Sequence, residues 1–196
     1  MSDTRSDAVL RLTCQPSKAG SALIFPYRLV NDGPGDVYAM QALAVGGAAA
    51  NEAASEAAVV IAGDDGDAVL GKFMPPLPTD RRIAVPGVPL ARRLPAGGSL
   101  EGRAEVALPL AETSPYFADL TLRQYEIIEI KGVLFMIACW PADDAELVAR
   151  PFGEGPDLLA ILTADPVRSA RLASQRFPTN GLQLFKRTDA FPRKLG

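Results

Sequence analysis

Polar and apolar residues alternate in steps of two through much of this chain, the pattern of strands with one face on a core and one in water. Over residues 9–15, Leu10, Leu12 and Cys14 share one face and Val9, Arg11 and Thr13 the other. A second run, 23–31, sets Leu23, Phe25, Tyr27 and Leu29 against Ile24, Pro26, Arg28 and Val30. Proline has no N–H for a ladder, so Pro26 predicts an edge strand or a bulge. The turn Asn31-Asp32-Gly33-Pro34-Gly35-Asp36 leads into a third run, 37–45, and the two runs around it are expected to pair as a hairpin.

Further along, 59–62 and 68–73 read as strands joined by the acidic turn 63–67. Residues 100–108 alternate cleanly, with Leu100, Ala104, Val106 and Leu108 opposite Glu101, Arg103 and Glu105. Residues 124–131 and 133–140 predict two strands separated by Lys131-Gly132. The second is apolar on both faces, which marks it as central.

Other stretches break the period. The alanine-rich segment 46–58 favours a short helix or an exposed loop. Segment 74–98 has prolines at 75, 76, 78, 86, 89 and 95, which exclude a continuous helix; 83–85 and 89–94 are expected at a sheet edge and the rest along the surface in polyproline form. Ser114-Pro115-Tyr116-Phe117 reads as an aromatic turn plugging one end of the core. Beyond 141, segments 143–150 and 157–173 predict helices, with Asp157 as a cap, and 181–187 a last strand.

Some eight short strands with turn signals at intervals of roughly ten residues predict a mainly β fold: a two-sheet antiparallel sandwich with minor helix. It is expected to form a single domain over 1–196, with a C-terminal extension over 151–196. The turn Asn31-Asp32-Gly33, followed later by Leu94-Pro95-Ala96-Gly97-Gly98-Ser99-Leu100, resembles the Asn-turn and Pro-Gly-turn pattern of bacterial immunoglobulin-like sandwich domains. That resemblance implies a fold and no function.

Composition narrows the classes. With 196 residues, 48% hydrophobic and 22% charged, the chain can offset its ordering entropy without metals or staples. A net charge of −3 provides no general attraction for phosphate backbones, so no nucleic-acid partner is expected. The polar N-terminus lacks a leader's apolar region, which points to the cytoplasm. The longest uncharged apolar stretch, 132–142, is too short to span a bilayer. Usage rich in Ala, Arg, Gly and Pro suggests a bacterial protein. Cys14 and Cys139 read as small buried hydrophobes. Trp140 adjoins Cys139 and points to the opposite face, unlike the tryptophan that packs on the bridge of antibody domains.

There is no histidine, which removes histidine-dependent nucleophiles, histidine metal sites and the usual general base. Carboxylate chemistry stays open, with Glu126 and Glu129 near Glu101 and Glu105 as the imaginable pair of a hydrolase. Asp64, Asp65 and Asp67, with Asp32 and Asp36, could offer oxygens to a hard cation, but their spacing is not that of a calcium loop and a hairpin turn favours the same residues. Gly97-Gly98-Ser99 lacks a phosphate-binding lysine. No catalytic residue and no cofactor is assigned.

The sharper pattern is Pro75-Pro76-Leu77-Pro78 with Arg81-Arg82 and Arg92-Arg93, a short polyproline ligand flanked by positive charge. Pro75, Pro78, Arg81, Arg82, Arg92 and Arg93 are therefore the expected partner-binding residues. The function expected is a non-catalytic protein-interaction module, or a subunit of a cytoplasmic bacterial assembly. It would present this loop or an edge strand to a protein partner or to a homo-oligomer. The alternatives are a small-ligand or carbohydrate module lined by Tyr27, Tyr38, Tyr116, Phe117 or Trp140, and a carboxylate-dependent hydrolase.

Overall fold

A computed structural model describes residues 9–44, 54–77, 87–114, 116, 124–153 and 157–188. In chain order the strands are β1 (Leu10–Cys14), β2 (Ser17–Ala19), β3 (Ala22–Asn31), β4 (Val37–Ala44), β5 (Ala54–Ser55), β6 (Val59–Ala62) and β7 (Asp67–Lys72). They continue with β8 (Val88–Leu94), β9 (Ser99–Ala107), β10 (Leu110–Ala111), β11 (Tyr125–Pro141), β12 (Val148–Pro151), β13 (Leu159–Leu162) and β14 (Arg171–Arg187). Among the described residues there is no helix, so the expected minor helix is corrected. Residues 45–53 lie outside the described set, but Ala54–Ser55 pairs with β4 as a strand. Segment 143–150 is turns leading into β12, and 157–173 contributes β13 and the start of β14.

The first sheet is antiparallel. β3 is its middle strand, with β1 and β2 on one side and β9 on the other. Pro26 therefore sits in a central strand, contrary to the edge expectation. Its missing donor faces the gap between β1 and β2, where Gln15 N–H donates to the Pro26 carbonyl at 3.3 Å and Pro16 follows. The pairings Cys14 with Tyr27 and Ser17 with Ile24 share one register, so β1 and β2 are one strand interrupted where two prolines lack N–H groups.

The second sheet is mixed, which corrects the all-antiparallel expectation. β11 is its spine: β14 runs antiparallel along one side, and β7 (parallel) and β4 (antiparallel) share the other. Beyond β4 come β8, β13 and β12. The central strand expected at 133–140 is there, within one longer strand. Its odd residues Val133, Phe135, Ile137 and Cys139 face the first sheet, and its even residues Met136, Ala138 and Trp140 face a second core on the far side. β3 and β4 do not form a hairpin. The turn 31–36 crosses between sheets, and so does the turn 95–98 between β8 and β9. Asn31, fully buried, ties the two crossings together, its Nδ2 donating to the carbonyls of Gly35, Leu94 and Pro95 and its Oδ1 accepting from Gly33 N–H.

The core between the sheets stacks Phe25 on Phe135, 5.3 Å between centroids, with Leu29, Leu70, Leu94, Ile130, Ile137 and Leu184 around them. The second core holds Met40, Phe73, Met74, Trp140 and Ile161. Trp140 Nε1 donates to the Pro166 carbonyl at 3.0 Å, so the otherwise buried indole keeps its hydrogen bond. The sheet also curls back on itself. Thr113 N–H donates to Val60 O on β6, while Glu112, buried beside β10, accepts from Ala62 N–H and Arg187 N–H, each at 2.6 Å. One carboxylate thus joins β6 to the end of β14.

Candidate interaction edge

The Pro/Arg segment is only partly described, and its described parts are not one surface. Pro78, Arg81 and Arg82 lie outside the described residues. Pro75 is buried next to Phe73 and Met74, which belong to the second core, so the segment starts as core and not as an exposed polyproline ligand. Residues 88–94 form β8 inside the sheet between β4 and β13, and not at an edge. Alternation then separates Arg92, on the side of Leu94, from Arg93, on the side of Ala91. Arg93 is held by Asp36 at 2.6 Å. Adjacent arginines on a strand do not form a patch.

The other candidates are scattered as well. Tyr27 and Trp140 are buried in different cores, Tyr38 and Tyr116 pack on the second, and Phe117 is outside the described residues. The described four make no exposed aromatic strip. Glu101 and Glu105 stand on β9 of the first sheet, whereas Glu126 and Glu129 stand on β11 of the second; Glu105 faces Arg103 at 2.7 Å and Glu126 faces Lys186 at 3.7 Å. Asp64 and Asp65 are exposed in the β6–β7 turn, and both Asp67 oxygens accept from Arg176. Among the described residues no group of three or more acids and cysteines is arranged to hold a metal ion, and no helix is long and apolar enough to cross a membrane.

Lys72 is the most unusual polar group. It is 5% exposed at the end of β7, and its Nζ donates to the Glu56 carbonyl. Burial pulls its pKa down, against the opposing pull of Glu56. Tyr27 is held above its ordinary pKa by burial, partly offset by Gln41. Cys14 and Cys139 are free and buried, and burial pushes their thiols up to about 11 and about 12. Neither is a nucleophile at neutral pH.

The candidate edge is that of β9. Asn31 N–H donates to Gly98 O at 3.0 Å, and this sets the phase of the β3–β9 ladder: the even residues of β9 bond to β3. Ser99, Glu101, Arg103, Glu105 and Ala107 consequently turn N–H and C=O groups the other way, where no strand among the described residues meets them. The edge is nine residues long, without proline or bulge. Other edges are blunted: β1–β2 is broken at Pro16, β12 has four residues and ends on Pro151, and β14 carries Pro178 and a register shift against β11. Gln175 of β14 also accepts from Cys14 N–H at 2.7 Å.

The solvent face of β9 reads Glu101, Arg103, Glu105, all exposed. Beside it lies a depression of about 340 Å³ lined by Thr13, Gln15, Pro26, Arg28, Glu101 and Gly102 among others. Gly102 lets Tyr27 lie flat across the strand from the core side, since a Cβ there would collide with the tyrosine hydroxyl. The charge alternation of β9 is visible in the sequence; that its outer edge meets no strand among the described residues is not, because that depends on where the sheet ends. No protein-family model, no curated protein and no solved structure matches this chain.

Proposed function

We propose that the protein is a non-catalytic interaction module whose contact element is the outer edge of β9, unpaired among the described residues, to which a protein partner adds a strand. The supporting observation is the contrast between edges. Natural sheets interrupt or cover long edges because a row of unpaired N–H and C=O groups recruits other strands. Here the opposite edge of the same sheet is interrupted by Pro16, while β9 presents nine unbroken residues. Strand addition derives affinity from main-chain bonds and specificity from alternate side chains, and the Glu-Arg-Glu face supplies the latter. The immunoglobulin-like relationship, supported by the paired crossing turns at Asn31 and Gly97-Gly98, and a bacterial cytoplasmic setting belong to the same proposal.

Arg103→Pro tests it. The Arg103 N–H points away from β3, so proline there removes an outward donor and blocks an incoming strand while leaving the β3–β9 ladder intact. In affinity purification from the source cells, the variant should lose partners that the wild type retains, with the melting temperature within a few degrees. An unchanged set of partners from a folded variant would sink the reading.

A further inference from the structure

We infer that the strand added at β9 is β9 of a second copy of this chain, placed antiparallel about a two-fold axis near Gly102. The inference rests on the reading of β9 as the contact edge and names its occupant. A two-fold interface must be self-complementary, each residue meeting the one that meets it in return. With the axis at Arg103, Arg103 would face its own copy and Glu101 would face Glu105 of the other chain. Like charges directly opposite each other on a sheet are destabilising. With the axis one residue earlier, at Gly102, Glu101 of each copy lies opposite Arg103 of the other.

Three further observations fit that register. Glu101 already stands opposite Arg28 across the β3–β9 ladder, so the added Arg103 would complete an alternating positive, negative, positive row. The residues brought together, 101 and 103, both carry outward N–H and C=O groups, as a bonded antiparallel pair requires. Gly102 lies at the axis and brings no side chain of its own to the junction. On the same face Arg103 also bonds Glu105 of its own strand at 2.7 Å, an exposed pair that leaves the arginine able to face Glu101 of the other copy as well, and all of these charges are open to salt screening.

The test is the mass of the full chain in solution, by light scattering and native mass spectrometry at roughly 100 µM. The wild type should show twice the 20.7 kDa of one chain, and raising the salt to about 1 M should weaken the dimer. Arg103→Glu makes the face Glu-Glu-Glu and Glu101→Arg makes it Arg-Arg-Glu. Each variant alone should dissociate at least roughly tenfold more readily than the wild type, from the loss of two cross-strand pairs. Mixed, the two variants should form a mixed dimer, since every 101–103 pair is again opposite in charge. Recovery on mixing also shows that both variants are folded.

A monomeric wild type would overturn the inference, and so would a dimer that survives Arg103→Glu. A dimer that survives Glu101→Arg alone would overturn the Gly102 axis. A monomeric wild type whose other partners still depend on Arg103→Pro would end this inference but not the reading of β9 as the contact edge.

Discussion

Arg176 on β14 reaches Asp67 at the start of β7 across the full width of β11, with Nε 2.6 Å from Oδ2 and a second bond at 2.9 Å. The path exists because Gly132 stands beneath it. A Cβ at that position would lie 2.9 Å from the Arg176 guanidinium, from Asp67 Oδ1 and from the Phe177 carbonyl. Gly132→Ala should therefore break the ion pair and press on a backbone that cannot yield easily. The expected cost is about 1–3 kcal/mol in chemical denaturation. Because Asp67→Asn removes the same pair, the two changes should be markedly less than additive in a double-mutant cycle.

Acid stability follows from the same pair. The Arg176 hydrogen bonds hold the Asp67 carboxyl below its ordinary value of 3.8, against the opposing effect of burial. A carboxylate with a depressed folded pKa contributes stability above its unfolded pKa and loses it as pH falls through the folded value. Wild type and Asp67→Asn should therefore differ most at neutral pH, by about 1 kcal/mol because the arginine is half exposed, and converge below pH 3.8. Melting curves from pH 7 to pH 2.5 check this. A constant gap across that range would contradict it.

What was legible in the sequence is what depends on local pattern. The run 133–140 is apolar at every position, and only a strand buried on both faces requires that; 100–108 alternates because one face is solvent. The last part of β14, 181–187, reads as a strand, but its first part does not, because the inward positions there include Gln175, which bonds Cys14 N–H, and Thr179, which bonds Ile130 O. Polar residues satisfied across the fold erase the period-two signal. Segment 157–173 reads as helical by composition, but β13 gains partners on both sides, from β8 and β12, that no local pattern reveals. The paired arginines of β8 suggested a patch, yet a strand sends neighbours to opposite faces. The terminal position of β9 was hidden for a related reason: a sequence shows a strand's alternation but not whether it is last in its sheet.

Gly71 is a second place where a neighbouring strand approaches too closely for a side chain. Its φ is +144°, and a Cβ would collide with the Met136 carbonyl on the parallel neighbour β11. Backbone cannot move aside as a side chain can. Gly71→Ala should cost more than Gly132→Ala, at least about 3 kcal/mol, and lower the yield of folded protein.

Glu112 carries the closure of the curled sheet. It accepts two backbone N–H groups at 2.6 Å while 4% exposed. Glu112→Gln keeps the shape but turns one acceptor into a donor facing a donor, leaving a buried N–H unpaired. A loss of about 2–3 kcal/mol is expected. Hydrogen exchange should localise it, with the amides of Ala62 and Arg187 losing protection first while the core of β11 stays slow.

Lys72 gives the opposite sign. Its pKa is lowered by burial, so the folded state holds the proton less well than the unfolded chain, whose lysine titrates near 10.5. Between the folded value and 10.5 the unfolded state binds more protons, and stability contributed by this group rises with pH there. Below that window both states are charged and the cost of the buried ammonium is constant. Lys72→Met removes that cost while keeping most of the side-chain volume, at the expense of one hydrogen bond to the Glu56 carbonyl. The variant should be more stable than wild type at pH 7 by about 1 kcal/mol. Its advantage should shrink as pH rises toward 10.5. Tyr27 and the two cysteines titrate in both proteins, so the difference between the two denaturation curves isolates the lysine. A variant less stable than wild type at pH 7 would show that the bond to Glu56 outweighs the cost of burying the charge.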